Sequence, residues 1–380
     1  MKVWVIGRGY PRRDNNMLGS FELEQAKMLA KAGMDVTYLS LDIRSIRRLR
    51  RFGTYCKTED GVKLAFYSLP IGPILSREKR LKLYVRLMRK LVEKTGKRYG
   101  LPDIIHVHYP STLSYEAVED CQNKGCRIVA TEHWTKVQNK TCDDYARKNV
   151  YDFFSKADAM CCVGAALAES IRELTGIDKN IYIVPNVVSE AFRPTTEKHE
   201  GFRFVCAGRL VPVKQFDRIV EAFLDVFQGN ENVSLTLAGN GEDYAKIKAI
   251  ISDRKAEKLV SLLGSVSREK MSELVASSDA MVVFSNLETF CVPVIEAWAC
   301  GIPVIATETT VFADNPDTRL GIMVDCNNIE TLKPALKYLY EHRDEYDPEW
   351  IRQYALSHFS EEAVSRCLAE IYTCVSDAVV

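Results

Sequence analysis

Glu288 and Glu296 are separated by seven residues, Thr289 to Ile295. The apolar run Ala280–Phe284 before them reads as a buried strand. The stretch from Val292 to Cys300 reads as a short helix, and Pro303–Ala306 as the next strand. In an open α/β sheet, such a strand–loop–helix turn sets its loop in the crevice at the strand's carboxyl end. The first N–H groups of the helix point there too and suit a phosphate. A glutamate on each side of a bound diphosphate could hold sugar hydroxyls. A surface loop and helix that happen to carry acids would read the same way. Arg209 and Lys214, five apart after another strand, could neutralise a phosphate leaving group. A solvated pair at a helix start is the plain alternative.

These residues need a scaffold of alternating strands and helices. Strands are predicted at Val3–Ile6, Val36–Ser40, Val62–Tyr67, Ile104–His108, Arg127–Thr131, Ala159–Val163 and Tyr182–Val184. Further strands are predicted near Arg203–Ala207, Val233–Ala238 and Leu259–Leu263. Helical periodicity appears at Phe21–Ala32, Arg77–Arg98, Ala165–Leu174, Lys214–Val226 and Glu361–Val375. Short Val/Ile-rich strands between helices imply parallel sheets covered on both faces. A polar stretch after Pro185-Asn-Val marks a boundary near 195. It gives a first domain 1–195, a second 196–355 and a terminal helix 356–380.

Composition narrows the class. The chain has 380 residues, 47% of them apolar, and zero formal net charge, which suits a soluble two-domain protein. Residues 1–200 carry 34 Lys+Arg against 24 Asp+Glu, a net of +10; residues 201–380 carry 17 against 27, a net of −10. The twelve cysteines include no Cys-x-x-Cys and fit a reducing cytosol. No apolar run is long enough for a membrane span. No metal is expected: Asp-x-Asp is absent, and His106 and His108 lack metal-ligand spacing.

The Glu288–Glu296 segment resembles the paired-glutamate motif of the family 4 retaining glycosyltransferases, which have the GT-B fold. Several other segments, in the family's order, carry the same resemblance. Phe204-Val-Cys-Ala-Gly208-Arg209-Leu-Val-Pro-Val-Lys214 is similar to its strand–Gly-Arg–loop–Lys element. Leu237-Ala-Gly239-Asn-Gly241 is similar to its Gly-x-Gly turn. Leu263-Gly264-Ser-Val266 and Ser278-Asp279-Ala-Met-Val-Val-Phe284 are similar to the elements that follow. The match is close from about 201 to 325 and looser over the first 190 residues.

The resemblance implies two doubly wound Rossmann-like domains facing a central cleft, with the terminal helix crossing back to the first. It implies that Arg209 and Lys214 grip the donor phosphates, Glu288 meets the donor sugar and Glu296 anchors a ribose. Gly208, Gly239 and Val266 would lie at donor-binding turns, and the backbone of Phe290, Cys291 and Val292 against sugar and diphosphate. His133, in Thr131-Glu-His133-Trp, matches the family's Thr-x-His element, whose histidine faces the donor sugar. Gly19 is one remaining glycine of a glycine-rich phosphate loop, beside Arg12-Arg-Asp-Asn-Asn16. Asn186, in a Pro-Asn-Val hinge, is expected to be structural. Where the family reads Glu-Gly-Phe-Gly, this chain reads Glu288-Thr289-Phe290-Cys291. Thr289 and Cys291 add bulk beside the sugar and restrict a backbone that glycine would leave open.

The expected activity is sugar transfer from a UDP- or GDP-linked donor to a glycan or lipid-linked acceptor, with retention and without a metal or other cofactor. A non-catalytic sugar-nucleotide binder and another GT-B enzyme, such as a nucleotide-sugar epimerase, are the alternatives. Two basic stretches, Arg44–Arg51 and Arg77–Arg98, interleave cations with Ile, Leu and Met. They suit an anionic membrane surface as well as ordinary solvated faces, so the expected location is cytoplasmic, peripheral at the inner membrane face. Nothing signals a nucleic-acid partner.

Overall fold

The computed structural model describes residues 1–11, 18–43, 53–69, 71, 74–197 and 199–377. The basic stretch 44–51 and the polar run 12–16 therefore lie outside the described residues. The chain forms two compact units.

The first unit carries β1 (Lys2–Gly7), α1 (Ser20–Lys31), β2 (Asp35–Asp42), β3 (Gly53–Glu59), β4 (Val62–Ser68), α2 (Arg77–Tyr99) and β5 (Ile104–His108). It continues with α3 (Glu119–Gln122), β6 (Arg127–Glu132), α4 (Thr135–Gln138), α5 (Asp144–Lys156), β7 (Ala159–Cys162), α6 (Ala165–Thr175) and β8 (Tyr182–Ile183). The sheet order is β3-β4-β2-β1-β5-β6-β7-β8. All pairs are parallel except β3 with β4, a hairpin closed by Asp60 and Gly61 at φ 48° and 78°. Two successive positive φ values match the tight hairpin turn that Asp-Gly favours. The sequence reading missed β3 because an exposed edge strand of mixed polarity carries no apolar signal. Central strands are buried on both faces, and β1, with Val3, Trp4, Val5 and Ile6 all buried, reads as a continuous apolar run.

The second unit carries β9 (Phe202–Ala207), α7 (Phe216–Phe227), β10 (Val233–Ala238), α8 (Tyr244–Asp253), β11 (Val260–Gly264), α9 (Arg268–Ala276) and β12 (Ala280–Val283). It continues with α10 (Val292–Ala299), β13 (Val304–Thr307), β14 (Gly321–Val324), α11 (Leu332–Glu341) and α12 (Pro348–Phe359). The order is β11-β10-β9-β12-β13-β14, with every pair parallel. The core centres on α7, whose Phe223 and Phe227 pack on Phe204 of β9. Truncating such a buried Phe to Ala costs about 3–5 kcal/mol. The helix expected from Lys214 starts later. Pro212–Lys214 form a 3-10 turn, and Gln215, at φ 51°, caps α7.

The boundaries shift from those read in the sequence. The first unit ends at Val184, and Pro185–Ala363 form the second. The reason lies in the 185–195 segment: Val188 donates to the Phe359 carbonyl at 2.8 Å, and Phe192 is buried. The helix read over Glu361–Val375 is one helix, but the terminal segment does not begin with it: residues 356–359 end α12, and the chain breaks at Ser360, whose backbone is extended. The helix after the break is α13 (Glu361–Asp377), and from Val364 onward it belongs to the first unit.

Each sheet reverses its build direction beside its first strand. β1 lies between β2 and β5; β9 lies between β10 and β12. Ligand crevices form outside the carboxyl ends of strands at such switch points. The loops after β1, β5, β9 and β12 are therefore the places to look.

Candidate functional site

In the second unit, the loops after β9 and β12 enclose a cavity of about 200 Å³. Gly208, Arg209, Lys214, Glu288 and Cys291 all line it, so five expected site residues meet there. Lys214 Nζ and Glu288 Oε1 form an ion pair, with the two side chains 22% and 10% exposed. Arg209 is exposed at the same cavity. Gln215, which the sequence reading assigned no role, fixes this arrangement from beneath. Its buried side-chain amide donates to the carbonyls of Phe284 (3.0 Å) and Cys326 (3.1 Å). It thereby ties the start of α7 to the ends of β12 and β14. No local pattern could reveal it, because its partners lie 69 and 111 residues away.

Cys291 caps α10 in the left-handed region at φ 74°, where a side chain is strained. It is buried, and burial first, then the Glu288 carboxylate, hold its thiol pKa well above the ordinary range. The start of α10 is a poorer phosphate cradle than the sequence suggested. Pro293 has no N–H, and Val294 N–H already bonds to the Cys291 carbonyl at 3.1 Å, which leaves Val292 to offer one. Phe290 turns into the core. Its ring packs 6.0 Å from that of Phe359, and its carbonyl accepts from Val311 N–H at 2.7 Å.

Gly239, Val266, Phe290, Val292 and Glu296 do not line this cavity. Gly239 serves the close crossing of two loops: a Cβ there would sit 1.7 Å from the Gly208 carbonyl oxygen. Val266 is half-buried beyond β11. Glu296, half-buried on α10, is pushed up to about 7 by burial, against the opposing charge of Arg268.

In the first unit, the loops after β1, β5 and β6 build a column of stacked groups. Arg8 lies 3.3 Å over the Tyr109 ring, which stacks on His133 at 4.8 Å; His133 stacks on His108 at 5.2 Å, and His108 on His106 at 4.4 Å. Arg8 Nε also donates to Glu22 Oε1 at 3.0 Å, and Glu22 is buried. Tyr109 sits at φ 53°, an uncommon backbone for a tyrosine that tends to persist where surroundings enforce it. Burial first, and then Arg8, push His133 down to about 3, so its imidazole is neutral at neutral pH. Buried Glu132 receives the N–H groups of Ser111, His133 and Trp134 at 2.9–3.0 Å and so holds the loop that presents His133. Arg8 and Tyr109 escaped the sequence reading, although both directly follow strands that flank the switch point.

Gly19 caps α1 at φ 77°, where a Cβ would meet the Gly9 carbonyl oxygen at 2.1 Å. Close backbone approach accounts for this glycine. Asn186 lies in the second unit, one residue past the Val184–Pro185 division. Among the described residues, Glu308, Asp325 and Cys326 form the one group with metal-ligand atom types in mutual reach. There, both Glu308 oxygens accept the Cys326 N–H, at 3.0 and 3.3 Å.

Comparison with known proteins covers most of the chain. Residues 188–355 match the family model for glycosyl transferases group 1, and residues 21–192 the model for Glycosyltransferase Family 4. The chain is 27% identical over 216 residues to the phosphatidylinositol N-acetylglucosaminyltransferase GPI3 subunit of Saccharomyces cerevisiae, covering 54% of this chain and 48% of that one. It is 26% identical over 217 residues to the N-acetyl-alpha-D-glucosaminyl L-malate synthase of Bacillus anthracis, covering 54% and 56%. The matched stretch thus spans about half the length of these relatives. Sucrose-phosphate synthase from Thermosynechococcus elongatus shares the fold over 100% of both chains, with a TM-score of 0.76 at 17% identity.

Proposed function

This chain belongs to the family 4 type of glycosyltransferases with the GT-B fold, and on that premise we propose that it moves a sugar from a nucleotide-sugar donor to an acceptor hydroxyl with retention and without a metal. The observation that carries this reading is the paired Lys214 and Glu288, with Arg209, around one cavity at the switch point. On donor binding, the phosphates take the Lys214 ammonium and the Arg209 guanidinium. Glu288, released from Lys214, takes hydroxyls of the sugar. The bond from the anomeric carbon to the phosphate oxygen breaks, and the two cations stabilise the departing charge. The acceptor oxygen bonds to that carbon on the same face and gives its proton to the departing phosphate oxygen. Glu296 holds a ribose hydroxyl, and the resemblance of Thr131-Glu-His133 to the family's Thr-x-His element assigns His133 a part in the transfer.

The donor is UDP- or GDP-linked. The names of both relatives above contain an N-acetylglucosaminyl group, so nucleotide-linked N-acetylglucosamine is the first donor to test. The acceptor is a glycan or a lipid-linked hydroxyl. No helix among the described residues is long and apolar enough to cross a membrane. The proposed location is the cytoplasm, with the basic face of α2 against an anionic bilayer.

The test is nucleoside diphosphate release from a panel of UDP- and GDP-sugars, with and without glycan and lipid-linked acceptors, and NMR of the product anomer. Acceptor-dependent release with a retained anomer is expected. An inverted anomer would overturn retention. Donor binding with no transfer to any acceptor would replace the enzyme reading with that of a sugar-nucleotide binder.

A further inference from the structure

We infer that His108 is a positioning residue: it donates its Nδ1 proton to His133 Nε2 and so fixes His133 as the tautomer that offers Nδ1–H. The inference deepens the proposed function, because it rests on His133 taking part in the transfer.

The geometry starts from a single contact. His108 Nδ1 and His133 Nε2 lie 2.9 Å apart, with the rings stacked. Both imidazoles are neutral at neutral pH, since burial depresses both. One proton must therefore lie between two nitrogens, and two assignments are open. If His133 donates, His108 must carry its own proton on Nε2. That nitrogen is buried and has no hydrogen-bond partner. If His108 donates, its Nε2 is a bare lone pair. An orphaned buried N–H is the rarer arrangement in folded proteins, while an under-satisfied acceptor is better tolerated. The second assignment therefore holds, and His133 keeps its proton on Nδ1.

The neighbours leave no other route. His106 stacks on His108 but has both nitrogens engaged, Nδ1 with the Tyr372 hydroxyl and Nε2 with the Thr131 hydroxyl, each at 2.6 Å. It can neither accept from His108 nor donate to it. Tyr109 stacks on His133 at 4.8 Å, and Arg8 lies over Tyr109, so His133 is packed where its Nε2 meets His108. Among the described residues no group occupies His133 Nδ1. It is the one nitrogen of the pair left to serve a ligand, and as Nδ1–H it would donate to an oxygen acceptor. The role of His108 is to remove the choice of tautomer before the ligand arrives.

Two measurements test this. The first is ¹⁵N NMR of the imidazole nitrogens in the unliganded wild-type protein, which reads the tautomer without reference to activity. A protonated Nδ1 on His133 is expected; a protonated Nε2 would overturn the inference. The second is a set of substitutions. Asparagine places its amide where Nδ1 stood and can still donate, so His108→Asn should keep kcat within about 3-fold and preserve the His133 tautomer. Glutamine reaches toward Nε2 instead, and phenylalanine keeps only the ring. His108→Gln and His108→Phe should lower kcat by about 10-fold or more, the scale of a misplaced catalytic contact, and give mixed His133 tautomers. Wild-type kcat and an unmixed tautomer in His108→Phe would also overturn it. If the wild-type protein transfers no sugar, the proposed function fails, and the NMR result still decides the tautomer.

Discussion

Lys214 and Glu288 are joined by an ion pair although they lie 74 positions apart in the chain. Each is the other's counter-ion in a partly buried cavity, and each is also proposed to hold a different part of the donor. The unliganded cavity therefore keeps both charges satisfied, and ligand binding exchanges one set of partners for another.

Losing either cation should be costly in turnover. Arg209→Ala and Lys214→Ala are each expected to lower kcat by about 10²-fold or more, the scale of losing a transition-state donor. Arg209 is exposed and its removal should leave stability unchanged. Lys214→Ala removes the ion pair with Glu288 and should cost about 2 kcal/mol, between the values for exposed and buried pairs. The double variant Lys214→Ala/Glu288→Gln should recover the lost Tm but not the turnover. Wild-type turnover in either single variant would remove that residue from the mechanism.

Metal removal should have no effect. Two fixed cations are proposed to do what a divalent ion does elsewhere. Activity is expected to persist in excess EDTA, measured as nucleoside diphosphate release. Loss in EDTA that Mg²⁺ or Mn²⁺ restores would show that a metal takes part.

Cys291 combines a left-handed backbone with a side chain at the cavity wall. Cys291→Gly should relieve roughly 1 kcal/mol of backbone strain and open the cavity. The expected result is an equal or higher Tm and use of more donor sugars, with nucleoside diphosphate affinity nearly unchanged. Thr289→Gly, at a half-buried position beside Glu288, should broaden donor use in the same way. Equal loss of affinity for the free nucleotide would place these side chains against the nucleotide rather than the sugar.

Glu296 provides a pH signature. Burial raises its pKa from an ordinary 4.5 to about 7. Between these values the native protein keeps a proton that the unfolded chain has lost. Its contribution to stability is complete below pH 4.5 and is lost as pH rises through 7. Glu296→Gln should therefore raise Tm at pH 8 and leave it unchanged at pH 4. A ribose hydroxyl donates best to the ionised carboxylate, so nucleoside diphosphate affinity by calorimetry should rise with pH through about 7. That rise should vanish in Glu296→Gln. A slope that survives the substitution would assign it to another group.

Membrane association should depend on α2. Arg86 and Lys90 are exposed on it, and Leu81, Val85 and Leu87 are half-buried between such cations. Sedimentation with anionic vesicles at low salt is expected for the wild type. It should fall when Arg86, Arg89 and Lys90 are neutralised, each cation contributing about 1 kcal/mol at most. If the wild type does not pellet with anionic vesicles, a soluble acceptor becomes the better reading.

Local pattern alone determined much of this protein. Ile104–His108 and Val233–Ala238 were legible as strands to the residue, because short stretches rich in Ile, Val and Leu between helical patterns read as strands. The Gly208-Arg209…Lys214 and Glu288…Glu296 spacings each lie in one loop and the turn or helix that follows, but read as a candidate site only through the family resemblance. What only the tertiary structure decided is who meets whom. That Lys214 neutralises Glu288, that Gln215 ties α7 to the ends of β12 and β14, and that His108 rather than His106 serves His133 all depend on strand order. Strand order is set by packing between distant segments, which no local pattern encodes. The same holds for Gly239, whose glycine answers to a loop crossing at Gly208, and for Pro185–Phe192, whose partner Phe359 lies near the other end of the chain. Edge strand β3 was invisible for a simpler reason: exposed on one side, it needs no apolar code beyond its Asp-Gly turn.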